Sequence, residues 1–156
     1  MTARPIALVL ALATLAFVPA AAAQGAGGLY VADGQFGFSA AVGQALADNP
    51  VPGRFFVLVV PPATQGLLAT GSTSGDANLR DRALASGAQF LVCRRDVQNA
   101  SVVPAGLIPG VAVAWGWPQG PDAPAPDPNN LFPGESASQF PASLELVRRI
   151  RSTCSE

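Results

Sequence analysis

The sequence predicts an α/β domain: a mostly parallel sheet of about four or five strands flanked by helices, with a proline-rich loop and a C-terminal helix. Three observations carry this. Phe55 to Val60 is an unbroken apolar, β-branched and aromatic run, which suits a strand buried on both faces. Segments of helical period alternate with such runs along the chain. The resulting order is strand, helix, strand, helix, strand, weak helix, strand, long loop, helix, the pattern of crossover-connected parallel sheets.

Taken in order, Leu29 to Asp33 reads as a short strand, and Phe36 to Ala47 as a helix with Phe38, Val42, Ala45 and Leu46 on one side. Asn49-Pro50-Val51-Pro52-Gly53 ends that helix, and Phe55 to Val60 follows as the second strand. Thr64 to Ala69 suggests a short helix and Thr70 to Gly75 a polar loop. Asp76 stands where an N-cap belongs, before a helix whose apolar side is Leu79, Ala83 and Leu84 and whose αL terminator is Gly87. Ala88 to Cys93 is the third strand, Asp96 to Ala100 a weak helical stretch, Pro104 to Pro109 a turn and Gly110 to Trp115 the fourth strand. Residues 118 to 140 are rich in Pro, Asp, Asn, Gly and Ala and predict an extended or mobile loop. Pro141 suits the first turn of a final helix, residues 141 to 156, with Leu144, Val147, Ile150 and Cys154 on one face. Arg148, Arg149 and Arg151 then form its solvated face.

The first 23 residues have the form of a secretory signal peptide: a lone positive charge at Arg4, an apolar run from Ile6 to Val18, and a small-residue stretch before Gln24. The apolar run is short for a bilayer span, and no second run of that quality follows. The expectation is a periplasmic or secreted protein, free of the membrane after cleavage, with residues 24–117 as its α/β domain. Removing the leader leaves eight basic and ten acidic side chains, a balance with no electrostatic footprint for nucleic acid or an anionic membrane.

Two absences prune the chemistry. There is no histidine, which removes Ser-His-Asp and Cys-His catalysis and every metal site that needs imidazole. There is no lysine either, which removes Schiff-base chemistry and the GxxxxGK phosphate loop. No metal and no cofactor are expected.

Ligands of open α/β sheets gather beyond the carboxyl ends of the strands. Asp33 and Gln35, Thr64 and Gln65, Cys93-Arg94-Arg95, and Trp115 with Trp117 lie there. Cys93 is the one group among them with covalent chemistry, and three readings of it stand open. Neighbouring arginines and a helix N-terminus lower a thiol pKa, making it a reactive thiolate, with Arg94 and Arg95 suited to an oxyanion. Cysteine ending an apolar strand is also common as inert core. Third, an exported chain with two core-facing cysteines has one intramolecular bridge open to it, Cys93 to Cys154. Trp115 and Trp117 offer a stacking wall or core contacts. Gly71 to Gly75 offers backbone amides, though Asp76 would repel an anion.

The stretch Leu84-Ala-Ser-Gly87-Ala88-Gln-Phe90-Leu-Val-Cys93, followed by Leu107-Ile-Pro109-Gly110-Val111-Ala-Val113, resembles the DsrE/DsrF-like family of sulfur-relay proteins. The resemblance covers about Leu29 to Gly116 in element order, with its specific residues between Leu84 and Val113. It implies a DsrE-like α/β sandwich assembled as a homotrimer or hexamer. It also implies that Cys93 accepts sulfane sulfur as a persulfide, exchanging it with a donor or acceptor protein, with Arg94 and Arg95 stabilising the thiolate. Pro61-Pro62, the Trp-Gly-Trp run with its proline-rich sequel, the second cysteine and the export leader all depart from the family's pattern. The competing expectation is a non-catalytic binding or structural module on the same fold, joined by Cys93 and Cys154.

Overall fold

The computed structural model describes residues 28–118 and 143–155. The leader, most of the proline-rich stretch and the ends of the last predicted helix lie outside the described residues.

Four strands, β1 (Leu29–Ala32), β2 (Phe55–Val59), β3 (Ala88–Cys93) and β4 (Ala112–Ala114), form one all-parallel sheet in the order β1-β2-β3-β4. Sequential strand order with connections of one hand places every connection on one face of the sheet. Accordingly α1 (Phe38–Asp48), α2 (Ser74–Ala85) and the link through the short α3 (Arg94–Gln98) share a core with one set of alternating strand side chains. That set includes Tyr30, Phe55, Val57, Phe90 and Val92. The opposite set, including Leu29, Phe56, Leu58, Leu91, Cys93 and Ala114, packs against α4 (Leu144–Ser155) through Val147, Ile150 and Cys154. A two-residue period thus feeds two separate cores. The unbroken apolar run of β2 has this cause, since all five of its residues are buried.

The links explain the sharp ends of the strands. The segment Ala63–Leu67 forms a 3-10 turn after the cis Pro61-Pro62 bond, where an ordinary short helix is predicted. Gly87 closes α2 with φ of +100°, and a Cβ there would meet the Gly53 carbonyl oxygen at 2.5 Å. A glycine is therefore required both for the turn and for the close approach of the two connections.

Four sequence expectations are corrected. The N-cap of α2 is Thr73, not Asp76: the Thr73 hydroxyl accepts from the Asp76 N–H at 3.1 Å and donates to its carboxylate at 3.0 Å. Asp76 sits inside the first turn as the reciprocal partner, a form of capping box. Leu84 is 42% exposed, because α2 turns Ala83 and the stem of Arg80 inward. Leu144 is 44% exposed, lying in the first turn of α4, one turn before the first buried contact at Val147. Arg151 is wholly buried instead of solvated, for reasons set out below.

Tyr30 in β1 ties the sheet to the end of α1. Its hydroxyl donates to Asp48 Oδ2 at 3.2 Å and accepts from Asn49 Nδ2 at 3.1 Å. Burial raises its pKa above the ordinary tyrosine value, opposed by the hydrogen bond from Asn49 and reinforced by the Asp48 carboxylate. The fold thus favours the neutral phenol. Its stabilising contribution is complete below the unfolded pKa of about 10 and is lost as pH rises through the higher folded value. The chain has one tyrosine and no lysine, so this titration is isolated. Melting temperature should fall more steeply above about pH 10 in the native protein than in Tyr30→Phe, and tyrosinate absorbance should appear later than in the unfolded chain. Equal alkaline slopes for both proteins would refute the assignment.

Candidate functional site

The carboxyl end of β3 passes into α3 without a loop, making Cys93 the residue that precedes the helix and Arg94 and Arg95 its first two members. Cys93 has no exposed surface, because the pleat turns it onto the sheet face covered by α4. There it is joined to Cys154, with a Cα–Cα distance of 5.1 Å across a sequence separation of 61. That distance is within the ordinary span of a disulfide. Of the three sequence readings, the bridge is the one realised, and both sulfurs are consumed in it.

The disulfide brings three pieces of chain together: the start of α3, the Trp115-Gly116-Trp117 run that leaves β4, and the last turn of α4. Gly116 allows this meeting. A Cβ there would overlap the Ser155 hydroxyl and stand 2.7 Å from the Cys154 carbonyl oxygen, so only a residue without a side chain lets the helix end settle on the strand end. The Ser155 hydroxyl accepts from the Trp117 N–H at 2.5 Å and donates to the Arg151 carbonyl at 2.8 Å. Arg151 is drawn inward because the strand end supplies an acceptor. Its Nη1 donates to the Trp115 carbonyl at 3.2 Å, and its guanidinium lies 5.6 Å from the Trp117 ring centroid. A buried guanidinium needs such partners to offset lost hydration.

Between these pieces lies a cavity of about 400 Å³ walled by Arg94, Arg95, Gln98, Trp115, Trp117 and Cys154, among others. Arg94 stacks on Trp115 with its guanidinium carbon 3.8 Å from the ring centroid. Arg95 Nε contacts Asp96 Oδ1 at 3.4 Å. Arg94 Nε and Arg95 Nη1 are buried without an acceptor. Among the described residues, no carboxylate contributes to the wall. The site is therefore cationic and aromatic within an acidic chain.

Of the sequence-predicted residues, Arg94, Arg95 and Trp115 meet at this cavity, and Cys154 forms part of its wall while Cys93 lies in the core behind it. Gln65 is not brought there. It belongs to the 3-10 turn after β2 and borders a separate hollow with Ser39 and Asp76. The Asp76 carboxylate accepts from the hydroxyls of Ser39 and Thr73, so the polar loop before α2 is occupied with capping. Asp33 is likewise a turn residue, its Oδ1 accepting from the N–H groups of Gln35 at 2.8 Å and Phe36 at 2.6 Å. Sequence reasoning missed Gln98, Gly116, Arg151 and Ser155. The signal for Gly116 was present, a glycine held between two tryptophans where a strand must leave the sheet. Nothing local marked the others.

Comparison with known proteins finds no matching family model, curated protein or solved structure.

Two measurements check this geometry. Closure of a loop of this length corresponds to about 4 kcal/mol in the chain-entropy description, so reduction should lower the melting temperature by on the order of 10–20 °C. An unchanged melting temperature would show that the bridge restrains nothing. Gly116→Ala should destabilise by about 1–3 kcal/mol through overpacking, whereas Gly43→Ala, where an added Cβ has open space, should be neutral or slightly stabilising in a denaturant titration.

Proposed function

We propose that this chain is an exported α/β binding module, stapled by the Cys93–Cys154 disulfide, whose binding site is the Arg–Trp cavity beyond β3 and β4. The observation that carries the reading is the condition of Cys93: wholly buried and bonded, directly behind a cavity walled by cations and indoles. The position supports it, since parallel sheets place ligands beyond the carboxyl ends of their strands. The volume supports it, since it lies within the range of small-molecule pockets. The disulfide and the leader-like residues 1–23 favour the periplasm or the cell exterior over a reducing compartment. The charge balance favours small molecules or proteins over nucleic acid and membrane as partners. Assembly as a homotrimer or hexamer follows from the DsrE/DsrF-like resemblance of Leu84 to Val113 and is part of the same proposal.

A second reading is favoured by the place of Cys154 in the cavity wall. An external dithiol, itself ending as a disulfide, reduces the bridge to two thiols. The Cys93 thiolate then attacks a polysulfide, retains one sulfur as a persulfide and releases the polysulfide shortened by one atom. Arg94 and Arg95 stabilise the thiolate, and a partner thiol takes the sulfur, which is the role the family resemblance implies.

A thiol count separates the two. The binding-module reading expects no titratable thiol in protein purified from the exported compartment, even when unfolded, and no sulfur adduct after exposure to polysulfide. A persulfide found on Cys93 by mass spectrometry, and absent from Cys93→Ser, would replace it with the sulfur-transfer reading.

A further inference from the structure

We infer that the cavity binds a small organic monocarboxylate with an apolar, ring-sized body, held at its charged end by Arg94 and Arg95. The inference rests on the reading of this cavity as the binding site and adds the class of ligand.

Charge comes first. Arg95 is offset by Asp96, whose Oδ1 lies 3.4 Å from its Nε. Arg94 has no carboxylate or carbonyl partner among the described residues; its guanidinium instead lies over the face of Trp115 at 3.8 Å. A cation–π contact leaves the positive charge in place and uses none of the in-plane N–H donors. Counted over the described residues, the site thus holds about one uncompensated positive charge, which matches a single negative charge better than a divalent oxyanion. The donor chemistry agrees. Both arginines line the cavity, no acceptor on a described residue meets the Arg94 guanidinium, and guanidinium forks match carboxylates in bidentate fashion.

Size and walls then argue against a bare ion. The cavity measures about 400 Å³, and Trp115, Trp117 and Pro118 give it apolar sides that an inorganic anion would leave in poor contact. Among the described residues, Gln98 and Ser155 add further polar groups. A ligand with a carboxylate at one end and a flat hydrocarbon body at the other uses both kinds of wall.

Both tryptophans of the chain line this cavity, so tryptophan emission responds to its occupancy. The experiment titrates the oxidised full mature chain, first shown to lack free thiols, with benzoate, benzyl alcohol and sulfate, following emission and heat. Saturable binding of benzoate at least about tenfold tighter than of the other two is expected, weakening by about ten- to a hundredfold in Arg94→Gln and unchanged in Arg148→Gln, an exposed arginine of α4. Equal response to benzyl alcohol would make the cavity merely apolar, and equal or tighter binding of sulfate would make it an inorganic oxyanion site. No response to benzoate would also overturn the inference. Should Arg94→Gln fail to fold, the three-ligand comparison on the native chain decides it. A free, sulfur-accepting Cys93 would instead defeat the binding-module reading, whatever the ligand result.

Discussion

The second face of the sheet depends on the covalent link between Cys93 and Cys154. Leu29, Phe56, Leu58, Leu91 and Ala112 form an apolar surface that the sequential crossovers cannot reach, since those all lie on the first face. Among the described residues, α4 is the helix that packs on this surface. A helix of twelve residues is marginal by itself, and it follows a connection long enough to make its return entropically costly. Joining its last turn to the end of β3 removes much of that cost and fixes the height of the helix against the strands.

The cavity is a product of the same link. Arg94 and Arg95 are placed by β3, Trp115 and Trp117 by β4, and Ser155 and Cys154 by α4, and the disulfide is the bond that joins the first group to the third. Gly116 permits the contact, while Arg151 and Ser155 satisfy the backbone groups that the strand exposes where it leaves the sheet. What results is a wall whose described residues include two cations and no carboxylate, with aromatic members partly sheathed by guanidinium groups. The proposed preference for anions with an apolar body rests on this wall, and the buried, bonded Cys93 sulfur lies behind it. The Cys93 of this fold is thus more a fixture of the framework than an exposed nucleophile, and any sulfur chemistry has to begin with reduction.

Much of the framework was legible in the chain because it is governed by local pattern. The unbroken run Phe55 to Val60 announced a strand buried on both sides, and Gly87 announced the αL turn into β3. Helix ends were less legible. A threonine and an aspartate three residues apart can each serve as cap, and which one does is decided by where the preceding chain enters. Side-chain burial on short helices was less legible still, as Leu84 and Leu144 show, because an apolar residue is buried only where a neighbouring element exists to meet it.

By itself, the sequence determined the alternation of strand and helix, the parallel character of the sheet, and the chemistry closed to this protein by its lack of histidine and lysine. It also confined any internal bridge to one pair of cysteines. Only the tertiary structure decided that the pair is joined, that Arg94, Arg95 and the two tryptophans face a common space, that Gln65 lies elsewhere, and that Arg151 is buried. The physical reason is that these facts rest on contacts between residues tens of positions apart. The acceptor that draws Arg151 inward is a carbonyl 36 residues upstream in the chain, and local spacing carries no record of it.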